Sequence, residues 1–157
     1  MASDFYIHIA DESVLEGSSF NNFDEVLRYF FCFHIGSPYF NPKLQDQDPQ
    51  FKEKYDETWD IIDKTPSVFV GEVNWFSVTL NELFGEKDIY KDIPNPVLEI
   101  SRLFADSELV LIDDEFISKV KSALELPNQT KLKLGDAAEI INFLETHKGK
   151  YCFSVSW

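Results

Sequence analysis

The residues of this chain whose types suit chemistry are a row of carboxylates, three histidines and two cysteines. The carboxylates are Glu53, Asp56, Glu57, Asp60 and Asp63, within residues 48–64, which read as a helix. Glu53, Glu57 and Asp60 recur about one turn apart, roughly 5.4 Å along a helix axis, and Asp56 and Asp63 flank them. Like charges at such spacings repel by about a few tenths of a kcal/mol per pair, so helix stability gives no reason for the row. The chemistry open to it is electrostatic: a regular line of negative charge can imitate a phosphate backbone or meet a basic cleft. A solvated face opposite an apolar stripe has the same pattern. These five acids are therefore the candidate partner-binding residues.

The other groups point away from catalysis. His8 falls within a predicted strand, and His34 and His147 fall in the last turns of predicted helices, where an imidazolium suits the negative end of the dipole. Cys32 and His34 are two positions apart, about 200° around a helix, and cannot share a metal. A Cys–His nucleophile would need Cys152 beside His8 on neighbouring strands, and nothing in the sequence favours that pairing. Asp113-Asp114-Glu115 opens a predicted helix and reads as cap and dipole partner, with a divalent ion as the alternative. A P-loop, a dinucleotide glycine fingerprint, a Gly-x-Ser-x-Gly elbow and a His-Glu-x-x-His helix are all missing. No catalytic residue, cofactor or metal is expected, and binding is favoured over enzymatic activity.

Charge narrows the class of partner. Twenty-eight acids face fourteen bases, a net charge of −14, and Arg28 and Arg102 are the two arginines. That is the wrong sign for nucleic acid or an anionic membrane, both of which are held by Lys and Arg. It suits a basic protein surface, although net charge also serves solubility alone. The first 63 residues hold thirteen acids and four bases, so the excess is concentrated there. Aromatic residues make up 15% of the chain, a composition for a packed core and against general disorder. The longest apolar run, residues 29–33, is far short of the ~20 residues of a membrane span. The opening MASDFYIHIA lacks a basic and apolar leader pattern. With two cysteines in reserve as free thiols, a cytoplasmic location is expected.

The elements that position these groups follow from periodicity and caps. Residues 4–10 alternate as a strand, with Phe5, Ile7 and Ile9 on one side. Residues 22–35, NFDEVLRYFFCFHI, form an aromatic helix opened by Asn22 with Glu25, in the form of a capping box, and stopped by Gly36-Ser37-Pro38. A long loop follows with Tyr39 and Phe40, and Asp48-Pro49 reads as the start of the acidic helix. Residues 67–73 are a strand with Gly71 marking a bulge or close packing. Residues 74–84 are ambiguous, with Ser77 able to cap a short helix. Helices capped by Asn95, Asp113 and Asp136 come next, with a strand over 108–112 read as buried on both faces. A last strand spans 150–157.

These elements predict an α+β or α/β fold: a single domain, about four strands in a mixed sheet of substantial parallel character, and five to six helices packed on it. The functional expectation is a small acidic binding protein that occupies a basic partner surface, of the immunity-protein, inhibitor or DNA-mimic type. One alternative is a small-molecule-binding or enzymatic domain with an aromatic-lined pocket, for which His8, Trp75 and Asp113 are the residues to inspect. The other is a structural homodimer joined through the aromatic helix or the last strand.

Overall fold

The computed structural model describes residues 3–73, 95–104, 109–128 and 132–156. The ambiguous stretch 74–84, with Trp75, and the terminal Trp157 lie outside the described residues. Four strands, β1 (Ser3–Ile9), β2 (Ser67–Val73), β3 (Val110–Leu111) and β4 (Tyr151–Ser156), form one sheet in the order β2-β1-β4-β3. Among the described residues six helices accompany it: α1 (Phe23–Phe30), α2 (Leu44–Gln47), α3 (Phe51–Lys64), α4 (Pro96–Arg102), α5 (Asp114–Leu124) and α6 (Ala137–Thr146). The fold is α+β, as the sequence leads one to expect. The parallel character expected of the sheet is not found among the described residues, where all three strand pairings are antiparallel.

The reason lies in where the helical excursions return. A parallel crossover must re-enter the sheet at the end opposite the one it left. Here the chain leaves the C-terminal end of β1, runs through α1, α2 and α3, and comes back beside it. The amide of Ile9 donates to the carbonyl of Pro66 at 2.9 Å, and His8 lies opposite Ser67. The excursion through α5 and α6 returns likewise, with the Gly149 amide donating to Ile112 at 2.8 Å.

Alternation along the strands sorts the core to two faces. Phe5, Ile7 and Ile9 of β1, Val68 and Val70 of β2 and Cys152 of β4 pack with α4, α5 and α6, where Ile100, Val120, Ile140 and Leu144 are fully buried. Phe153 and Val155 face the other way, onto α1, α3 and a 3-10 turn over Glu12–Leu15. Each fully buried aliphatic or aromatic side chain stabilises the fold by about 1.5–3 kcal/mol before entropy is counted.

Four caps read from the sequence are in place. Asn22, Asn95, Asp113 and Asp136 accept from amides in the first turns of α1, α4, α5 and α6 at 2.8–3.3 Å. The aromatic helix, however, ends at Phe30 rather than Ile35. A continued helix would carry Cys32 round to the solvent side; the turns that replace it bury Phe31 and Cys32 and set Phe33 against Phe51 and Tyr55 of α3. The acidic helix likewise starts at Phe51, not Asp48. Residue 108 of the strand predicted over 108–112 lies outside the described residues; the rest pairs as a two-residue edge with Leu111 39% exposed, not a strand covered on both faces.

Gly71 meets both descriptions offered for it. The register between β1 and β2 shifts between Phe5 and Tyr6, a bulge on the β2 side. A Cβ at Gly71, whose φ is +157°, would lie 2.5 Å from a Val97 methyl. Residues 132–135 run along the outer edge of β2, where Glu72 donates to Lys133 at 2.8 Å and Gly135 to Val70 at 2.9 Å.

Candidate functional site

Helix α3 presents the acidic row, and its environment divides the five carboxylates. The buried stripe is Phe51, Thr58, Ile61 and Ile62, packed toward α1 and the sheet. Glu53, Asp56, Asp60 and Asp63 are exposed and make no hydrogen bond or ion pair among the described residues. Glu57 differs. Its carboxylate accepts from the Ser19 amide at 2.6 Å and the Ser19 hydroxyl at 3.0 Å, fastening the loop before α1 to the middle of α3. Four of the five predicted residues thus share one open face, and the fifth has an internal partner.

The N-terminal end of α3 holds a second polar cluster that the sequence did not single out. Tyr29 donates to the carboxylate of Asp48 through a short hydrogen bond, and the Lys54 ammonium lies 3.3 Å from the same carboxylate and 3.4 Å from the phenol oxygen. The Tyr29 bond holds the Asp48 carboxyl below its ordinary range, and burial, helped by Asp48, pushes the Tyr29 phenol upward. Asp48 also accepts from the Gln50 amide, so it secures the turn before α3 and joins it to α1.

Aromatic side chains line the flank of α3 next to the acids. Tyr55 lies 5.5 Å from Phe51 and 6.4 Å from Trp59 between ring centres, and Trp59 rests edge-on against Phe30 at 5.2 Å. Phe33 is 42% exposed and Trp59 39%. Asp56 and Asp63 stand three residues before and four after Trp59, the spacings that make helix neighbours. The indole edge is therefore bordered by unpaired carboxylates on both sides along the axis.

The groups with catalytic potential are occupied elsewhere. His8 is 5% exposed, stacked on Phe153 at 5.4 Å, and Cys152 faces the opposite side of the sheet. Burial drives the Cys152 thiol up to about 12 and raises that of Cys32. His34 lies beyond the end of α1 and not in its last turn, whereas His147 caps α6 with Nδ1 2.8 Å from the Phe143 carbonyl. Asp113 caps α5, Asp114 pairs with Lys148, and Glu115 pairs with Lys119 at 3.1 Å. No cluster of three metal-ligating side chains exists among the described residues.

Open clefts also lie among the described residues. One of about 470 Å³ lies between the 3-10 turn, the start of α1 and the β3–β4 edge, with Phe23, Leu109 and Tyr151 beneath Asp11, Glu12 and Lys150. The other, of about 330 Å³, runs between α4 and α5.

No protein-family model, curated protein or solved structure matches this chain. Among the described residues no helix is long and apolar enough to cross a membrane.

Proposed function

We propose that the protein is a non-enzymatic binding protein whose α3 face, formed by Glu53, Asp56, Asp60 and Asp63, occupies a basic surface on a protein partner. The observation that carries this reading is the contrast within one helix. Glu57 has found partners inside the molecule, whereas four neighbouring carboxylates have none among the described residues and repel one another at no benefit to the fold. The surrounding layer deepens the potential, since residues 11–65 contain twelve acids and five bases. A concentrated field of one sign speeds encounter with an oppositely charged surface and rejects others. Inhibition of a nucleic-acid-binding protein, by standing in for phosphates, is the role such a face suits best.

The test is retention of proteins from the native host's lysate by the wild-type chain and by the Asp56→Asn, Asp60→Asn, Asp63→Asn triple variant, each washed at low and then high salt. A basic protein held by the wild type alone and released by salt is expected. Equal retention by both chains, or retention indifferent to salt, would overturn the proposal.

A further inference from the structure

We infer that residues 10–66, which carry α1, α2 and α3, form an acid-labile unit. A proton taken by His8 Nε2 opens this layer from the sheet while α4, α5 and α6 stay packed on the other face. The inference stands whether or not α3 binds a partner, and it starts from how the layer is joined. A buried hydrogen bond of 2.9 Å links His8 of β1 to Thr65 at the end of the layer. The contact around it is apolar, with Phe23 of α1 5.8 Å from Phe153 of β4. Polar ties between α1 and α3 run inside the layer instead, from Glu57 to Ser19 and from Asp48 to Tyr29. The layer is one continuous excursion between β1 and β2, so it can open without parting a strand from its neighbour.

The ring at that joint has no acceptor for a second proton. Thr65 donates its hydroxyl to the Ile62 carbonyl and accepts from Nδ1, so protonation falls on Nε2, which is buried and without a hydrogen-bond partner among the described residues. What faces the ring is uncharged. Phe153 stacks on it at 5.4 Å with Phe23 of α1 behind, Tyr6 of β1 lies 6.2 Å away, and Ser67 of β2 stands opposite. Ile62 and Thr65 close it from α3, whose last-turn ions Asp63 and Lys64 are exposed. Tyr6 is the titratable group in that set. Burial, against a smaller pull from the Ile62 carbonyl, takes the His8 pKa from 6.5 to about 4. Opening returns the ring to water, where it holds a proton at its ordinary strength. On the other face of the sheet no imidazole is buried among the described residues, so acid has no equivalent lever there.

Hydrogen exchange of the full chain at neutral and mildly acid pH tests this, with protection corrected for the intrinsic pH dependence of exchange. Helices of eight and fourteen residues do not hold in water once detached, so lost protection in α1 and α3 reports opening. That protection is expected to fall by about tenfold per pH unit below the ordinary histidine range, beyond any change in α5 and α6. His8→Leu should remove this fall; it keeps Glu57 and Asp48, and so controls for carboxylates that acid also reaches. Equal loss in all four helices, or an unchanged pH response in His8→Leu, would overturn the inference. If His8→Leu does not fold, the ring-proton resonances of His8 in the wild type decide. They should titrate together with opening, and a ring that stays neutral while α1 and α3 lose protection would overturn the inference as well.

Discussion

His8 and Thr65 share a hydrogen bond whose direction is set by a third atom. The Thr65 hydroxyl donates to the Ile62 carbonyl at 2.8 Å, so its oxygen is left to accept from His8 Nδ1 at 2.9 Å. The ring proton therefore sits on Nδ1. Nε2 is a bare lone pair, buried with no hydrogen-bond partner among the described residues, and Phe153 stacks on the ring. An imidazolium here would place an unanswered charge between β1 and α3.

That arrangement predicts acid sensitivity. Burial lowers the His8 pKa from 6.5 to about 4, so between those values the unfolded chain binds a proton that the folded chain refuses. Stability from this group is complete above pH 6.5 and lost as pH falls toward 4, to a total of about 3 kcal/mol at 1.36 kcal/mol per pH unit. Urea unfolding of the wild type and of His8→Leu at neutral and acid pH measures it. The variant's loss on acidification should be smaller by about that amount.

The acids of α3 should separate by their partners when stability is measured. Glu57→Gln weakens two hydrogen bonds to Ser19 and should cost about 1 kcal/mol. Asp56→Asn, Asp60→Asn and Asp63→Asn remove mutual repulsion and should be neutral or stabilising by about a few tenths of a kcal/mol at low salt. Chemical denaturation of the single variants distinguishes the two groups, and added salt should shrink the second effect.

Gly135 is tested by the smallest possible change. A Cβ there would stand 2.5 Å from the Phe69 carbonyl oxygen, which belongs to the sheet backbone and cannot swing aside. Gly135→Ala is expected to destabilise by about 1–3 kcal/mol, as overpacking does. Gly17→Ala meets no atom within 4 Å, so its cost should come from φ alone, which is +80°. Comparison of the two midpoints separates crowding from backbone strain.

Neither cysteine should react in the folded protein. Cys32 and Cys152 are fully buried, and burial raises both thiols, Cys152 to about 12. A thiol-directed chromogenic reagent should label both in denaturant and be slow at neutral pH without it. Fast labelling of the native chain would show that one face of the sheet opens readily.

What the sequence discloses is what is decided locally. Asn22, Asn95, Asp113 and Asp136 cap their helices because cap and amide lie within three residues of each other. Asp48 has the same local pattern and one of its oxygens accepts from the Gln50 amide, yet α3 starts at Phe51; its other oxygen is bound by Tyr29 and Lys54, contacts that the fold alone supplies. The end of α1 was hidden for a similar reason. No breaker precedes Gly36, and only the packing of Phe31, Cys32 and Phe33 against distant residues favours turns over helix. The acidic row could be read from spacing alone. That Glu57 would be withdrawn from it depends on Ser19, brought near by the fold, and the exposure of Trp59 depends on how Phe30 and α3 meet.

The segment over residues 132–135 that runs beside β2 has a consequence for how this protein can meet others. By taking the Val70 carbonyl and supplying the Lys133 carbonyl to Glu72, it occupies main-chain groups that would otherwise template an incoming strand. At the far side β3 offers only two residues of ladder. A chain with fifteen phenylalanines and open sheet margins would be at risk of stacking into aggregates. With one margin shut and the other brief, pairing with a strand of another chain has little backbone to start from.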